Sequence, residues 1–234
     1  MKNLFKILSI LIITSSAFAQ NKFFVGASAN YNIPFGMLSN RLEPAPGFLV
    51  FFGRQTSEDW TWTGKIEYFK LSDVNKEQMK KFVKSDILGP IQTFEFQLPK
   101  LKMDLTVAGL AAETKYNFLS NDIFDVNINF GFGFYYWEHF RSEYKDSLFV
   151  QSPSSGNPVL VEVLNVPSLR QKDWSGGVNF GVDLVLVLFY PLSLNISTNY
   201  KLIIAELWPT LALNLENVSG LQFFDLRAGI RFDF

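Results

Sequence analysis

Eleven charged side chains recur in this 234-residue sequence at spacings that would gather them on one side of extended segments: Lys65, Glu67, Glu113, Lys115, Asp125, Asp183, Lys201, Asp225, Arg227, Arg231 and Asp233. Successive side chains of a strand point to opposite faces. These residues therefore share faces with glycine, serine and asparagine, and oppose faces made of aromatic and aliphatic side chains. Five are positive and six negative. Charges enclosed in a narrow space persist only when paired and hydrogen-bonded. The chemistry this set supports is an internal ion-pair network, with Lys65, Glu67, Glu113, Lys115, Asp183, Lys201, Arg227 and Arg231 as its expected members. A small gated conduit or ligand pocket is the alternative, although a selective pore tends to carry one sign of charge.

Other chemistry is thinly represented. The chain has one histidine and no cysteine, which excludes clustered Cys/His metal sites. His139 has Ser142 nearby, but positions three apart on a strand face opposite ways, so the two cannot pair locally as base and nucleophile. No glycine-rich phosphate loop is present, and no basic footprint of a nucleic-acid binder. The expectation is a protein without catalytic residues, cofactor, metal or nucleic-acid partner.

The elements that must position the charges are strands. In Phe124–Tyr136, Phe124, Val126, Ile128, Phe130, Phe132, Phe134 and Tyr136 share one parity, against Asp125, Asn127, Asn129, Gly131, Gly133 and Tyr135. Trp174–Leu188, Leu192–Ile204, Val25–Ile33, Trp60–Lys70 and Phe223–Phe234 alternate in the same way. Gly47–Gln55 is apolar on both parities, leaving its facing open. Leu105–Phe118 changes phase near Gly109, which a β-bulge there would explain. Eight strands result. Their connections alternate between long (34–46, 71–102, 138–173, 205–222) and short (56–59, 119–122, 190–191), so every long connection falls at the same end.

The N-terminus reads as an export signal over residues 1–19. Lys2 and Lys6 are followed by an apolar Ile7–Ile13 stretch and Ala17-Phe18-Ala19. Removing it leaves 215 residues, 20–234, with 19 basic and 22 acidic side chains. Of these residues, none belongs to an apolar run long enough for a membrane helix, yet the sequence holds 25 Phe. Seven bulky groups between Phe124 and Tyr136, repeated on neighbouring strands, would overfill an eight-stranded barrel; the bulky parity is therefore expected to face lipid. Aromatics at strand ends mark two girdles: Trp60, Trp62, Tyr116, Phe118, Phe124, Tyr190, Phe232 and Phe234 by the short turns, and Tyr31, Tyr68, Tyr136 and Tyr200 by the long loops.

The final segment carries Phe224, Leu226, Ala228, Ile230, Phe232 and Phe234 on the apolar parity. It resembles the closing strand of bacterial outer-membrane β-barrels, which ends in an aromatic residue. The whole of 20–234 is similar in architecture to the small OmpX-, OmpW- and OmpA-type barrels. The resemblance implies an all-β, transmembrane, antiparallel up-and-down barrel of eight strands, or ten if the loops contribute more. It also implies location in a Gram-negative outer membrane, contact with its lipid, recognition of the last strand by the barrel-assembly machinery, and a monomer. It implies no substrate. Structural, adhesive or binding roles for the four long loops, above a filled lumen, are the expected function. A narrow channel or a lipid-modifying enzyme are the alternatives. Within the loops, Asn75–Lys84 is open to a short surface helix or a solvated charged loop, and 94–98, 148–150 and 159–163 look like strand extensions.

Overall fold

The computed structural model describes residues 22–87, 89–98, 100–152 and 156–234. The expected export signal lies outside them, as does part of the Ser152–Pro158 turn. Segments of alternating aromatic and β-branched residues suit the pleated, two-faced environment of a sheet, and twelve strands form. They are β1 (Phe23–Phe35), β2 (Ala45–Gln55), β3 (Trp60–Leu71), β4 (Lys80–Ser85), β5 (Gln92–Gln97), β6 (Met103–Ser120), β7 (Phe124–Arg141), β8 (Tyr144–Gln151), β9 (Pro158–Val166), β10 (Leu169–Phe189), β11 (Leu192–Leu207) and β12 (Val218–Asp233).

Eight of them close a barrel in the order β1-β12-β11-β10-β7-β6-β3-β2, every neighbouring pair antiparallel. Closure gives each backbone donor and acceptor a partner without water, the requirement for spanning lipid. Phe23 and Phe234 seal the seam through two backbone hydrogen bonds of 3.0 and 2.9 Å, so the described chain begins and ends beside the short turns. Among the described residues no helix is long and apolar enough to cross a membrane.

The remaining four strands pair only with each other, β4 with β5 and β8 with β9. The barrel therefore has eight strands, and the ten-stranded alternative fails because β6 and β10 already have both edges occupied. The β4 hairpin also replaces the helix considered for 75–84: Phe82 and Lys84 face out while Lys81 and Val83 are buried, a period of two rather than of a helix.

Two facing questions resolve. In β2, Phe48, Val50 and Phe52 point outward, while Leu49 and Phe51 turn in against Phe24. In β6 no bulge occurs at Gly109; the registers with β3 and β7 run through it unbroken, and the shift lies at Asn117/Leu119. Leu105 and Val107 share the inward parity of Gly109, Ala111 and Glu113. The apparent phase change is a change in what the interior is made of.

That change has a physical origin. The 18 residues of β7, at about 3.4 Å rise and a tilt near 40°, reach roughly 45 Å along the barrel axis. An apolar belt is only about 25 Å tall. Along the belt the outward side chains are Phe52, Ile66, Leu110, Phe130, Phe132, Phe134, Phe180 and Leu226, all exposed. Beyond the Tyr136–Trp174 contact, whose rings lie 5.6 Å apart, the outward face turns polar. There Glu138 pairs with Arg170 at 2.7 Å and Lys70 with Asp104 at 3.2 Å. The interior inverts in the opposite sense, from charged within the belt to apolar above it. Phe69, Leu71, Leu105, Val107, Trp137, Ile203, Leu207, Leu221 and Phe223 are buried there with loop residues Leu38, Leu42, Leu101 and Leu213. The upper third is built like a water-soluble barrel, and its loops form the lid.

Candidate functional site

The expected network residues enter the lumen from five strands, because each sits on the inward parity of its strand. Lys65 and Glu67 come from β3, Glu113 and Lys115 from β6, Asp183 from β10, Lys201 from β11, and Asp225, Arg227, Arg231 and Asp233 from β12. Six of them touch in series. Lys65 pairs with Glu113; Glu113 lies 3.8 Å from Arg227. Arg227 Nε donates to Asp225 at 2.8 Å. Lys201 stands 3.3 Å from Asp225 and donates to Glu67 at 2.6 Å. All six are buried, Lys201 completely.

The strand order gives this chain of contacts its meaning. In a ring of eight, β11 and β3 are four places apart, and so are β12 and β6. The pairs Lys201–Glu67 and Arg227–Glu113 therefore join diametrically opposite walls. A contact of this kind spans the lumen at its level. Just above it, Lys201 Nζ lies 5.0 Å from the Phe69 ring centre, and Phe69 meets Phe223 edge-on at 5.1 Å. The ammonium thus caps the charged layer and supports the apolar one.

Lower down, Lys115 pairs with Asp183, which also accepts from Asn129 Nδ2 at 2.9 Å. Four enclosed cations, Lys65, Lys115, Lys201 and Arg227, face four enclosed anions, Glu67, Glu113, Asp183 and Asp225, so the set is neutral. Arg231 and Asp233 lie apart from it, half-buried at the short-turn mouth. There Arg231 Nε donates to Asp233 at 2.8 Å and the guanidinium lies 4.0 Å over the Phe24 ring. Asp125 is also at this mouth, accepting from Ser120 at 2.5 Å.

Tyr135 was legible only as a member of the small parity, yet it is fully buried and occupies the lumen. A Cβ at Gly109 would stand within 2.6 Å of its ring, and one at Gly177 at 2.8 Å. Those glycines exist to admit it.

His139 lies above the Tyr136 level, inward and 1% exposed. Its Nδ1–H donates to the Asp104 carbonyl at 2.9 Å, so the hydrogen-bonding partner of the ring is backbone. Burial, reinforced by Arg41 and Arg141 and opposed by the Asp104 carbonyl, lowers its pKa to about 4. Ser142 uses its backbone N–H on Lys102. The two arginines gave no signal in the sequence, one standing in a loop and the other at a strand end. Both are buried, at 3% and 4% exposure.

The closing strand places Phe224, Leu226, Ala228, Ile230, Phe232 and Phe234 outward, all exposed. Aromatics of the expected girdles are likewise outward and form cross-strand pairs: Trp60 with Tyr116 at 5.2 Å, Phe48 with Tyr68 at 5.6 Å, Tyr200 with Phe224 at 5.7 Å.

No family model matches the sequence, and no curated protein does. Solved structures do. A major outer membrane protein from Thermus thermophilus superposes with a TM-score of 0.52 at 12% identity, covering 92% of this chain and 99% of that one. Neisserial surface protein A gives 0.44 at 16% identity over 91% and 97%. Ail, the attachment invasion locus protein of Yersinia pestis, gives 0.42 at 10% identity over 92% and 97%. The chain has the fold of small bacterial outer-membrane β-barrels: eight antiparallel strands, up and down, with an apolar outer belt.

Proposed function

We propose that the chain is a monomeric, non-conducting barrel of a Gram-negative outer membrane, whose four loops form a rigid surface platform for structural, adhesive or binding roles. The observation that carries this is the pair of diametric contacts, Lys201–Glu67 and Arg227–Glu113, beneath a loop lid with its own apolar core. A transporter would line an open path, whereas here the interior is filled first by charge pairs and then by hydrocarbon. The lid contains two hairpins, β4–β5 and β8–β9, of its own. Its two hairpins meet through Lys81 and Glu162 at 3.6 Å, and the β8–β9 hairpin exposes Phe149, Leu160 and Val163. Exposed apolar groups on a rigid scaffold are the usual material of a contact surface. In this reading lipid is the partner of the belt, the assembly machinery is the transient partner of Phe224–Phe234, and the protein has no catalytic centre.

An epitope inserted at Gly156, at the β8–β9 tip, tests the platform. Antibody should label intact cells, and adherence to surfaces should fall when 144–166 is replaced by a short linker while the barrel still folds. Labelling only after permeabilisation would contradict the proposal, and unchanged adherence would remove its adhesive role.

A further inference from the structure

The lid contains two buried guanidiniums with no acid between them. Arg41, in the β1–β2 loop, and Arg141, at the top of β7, are as sequestered as the lumen charges. The lumen charges, however, are matched one for one by carboxylates, and these two are not. Among the described residues no carboxylate lies within 4.0 Å of either, and the ion pairs of the loops and of the upper outer wall belong to other residues. Arg41 gives Nη2 to the Glu216 carbonyl. Arg141 gives Nη1 to the Thr210 hydroxyl, and Nε and Nη2 to the Pro167 carbonyl at 3.4 and 3.1 Å. All the partners are neutral.

The two cations converge on one turn, because Thr210, which Arg141 holds, pairs with Leu215, the residue before Glu216, which Arg41 holds. Burial and the neighbouring Arg141 together bring the Arg41 pKa down to about 10, and both bear on His139. Buried like charges without a counter-charge are a cost that folded proteins otherwise neutralise. A guanidinium has five N–H donors, and Arg41 uses few of its own. Planar donor forks of this kind match oxyanions.

We propose that Arg41 and Arg141 form a binding site for one compact oxyanion, a phosphate or sulfate group, that ties the first, third and fourth loops together. The anion supplies the missing negative charge, and the loops contribute Thr210 and the carbonyls of Pro167 and Glu216 as the frame that holds the guanidiniums. The chemistry is shared by free inorganic anions and by the phosphates of a lipid headgroup, so the test separates these sources.

The experiment uses the full barrel refolded in zwitterionic detergent micelles. Thermal unfolding is followed in sodium phosphate, sodium sulfate and sodium chloride at equal ionic strength, and then with bis-phosphorylated lipid A added to the micelles in chloride. Ligand that binds only the folded state raises the midpoint as its concentration passes its dissociation constant. The expected result is a rise of several degrees in phosphate or sulfate over chloride, saturating at one anion per barrel by calorimetry. A rise with lipid A but not free anions assigns the same site to a headgroup. Arg41→Gln should abolish the rise while unfolding no earlier than the wild type in chloride, because it relieves the repulsion. Arg141→Gln should abolish it too. Arg170→Gln, on the outer wall, should keep it. Equal midpoints in all four media would overturn the proposal, as would an anion effect that survives Arg41→Gln. If Arg41→Gln fails to fold, Arg41→Lys decides: its single-point charge should weaken binding at least tenfold, and unchanged affinity would overturn the site.

Discussion

Replacing Lys201 with methionine probes the ion-pair layer at its most enclosed point. The ammonium is completely buried, 2.6 Å from Glu67 and 3.3 Å from Asp225, with the Phe69 ring 5.0 Å away. Methionine fills similar space without charge. Glu67 then loses its only ion-pair partner among the described residues, and Asp225 keeps Arg227 alone. Breaking a buried pair from one side costs about 3–5 kcal/mol, because the remaining charge stays desolvated and unpaired. Lys201→Met should therefore lower the unfolding free energy by about 3–5 kcal/mol, read from urea titrations of the barrel in phospholipid vesicles by tryptophan fluorescence. Glu67→Gln should restore part of the loss, since it removes the stranded carboxylate. The double-mutant cycle should then give a coupling of at least about 1.5 kcal/mol, within the range found for contacting residues. A loss below about 1 kcal/mol with no coupling, the size seen for exposed pairs, would mean that water reaches this layer freely and that the lumen is not sealed.

Three other outcomes are expected. His139 is held neutral: its folded pKa of about 4 lies below the ordinary 6.5, so the unfolded chain binds the proton more tightly. Its contribution is complete above pH 6.5 and is lost as pH falls to about 4, up to roughly 3 kcal/mol; the difference in unfolding free energy between wild type and His139→Asn across about pH 4–7.5 should show this slope, and parallel curves would contradict it. Gly109→Ala should cost about 1–3 kcal/mol as overpacking, because the Tyr135 ring is gripped between Gly109 and Gly177. Gly176→Ala, with nothing within 4 Å, should be near neutral in the same urea assay, and equal effects would remove Tyr135 as the cause. Phe234→Lys should block insertion in cells, seen as loss of the heat-modifiable band from the outer-membrane fraction, whereas normal insertion would argue against last-strand recognition.

The belt was legible in the sequence because lipid demands one apolar parity over many residues, and β7 meets that demand from Phe124 to Tyr136. The loop alternation was legible because hairpin turns must be short on one side only. The upper barrel was not. Where the strands leave the belt, the outward face is wetted and the inward face becomes hydrocarbon, so Leu105 and Val107 looked like a slipped register rather than an inverted interior. The charged residues of the lumen could be placed on the inward parity, but their partners could not be named. Lys201 and Glu67 stand 134 residues apart, and only strand order puts them face to face. Arg41 was invisible for a related reason: alternation locates strand residues, whereas its position is set by how the loops fold over one another. Arg141 ends β7 beyond Tyr136, inside what the sequence reads as the 138–173 connection.

A lumen closed by diametric ion pairs below and packed hydrocarbon above should carry no current. The most direct test is electrical: purified barrel inserted into planar lipid bilayers, with current recorded across a range of voltages. Insertion verified by protease protection, without reproducible conductance steps, is the predicted result; discrete open channels of uniform size would contradict it.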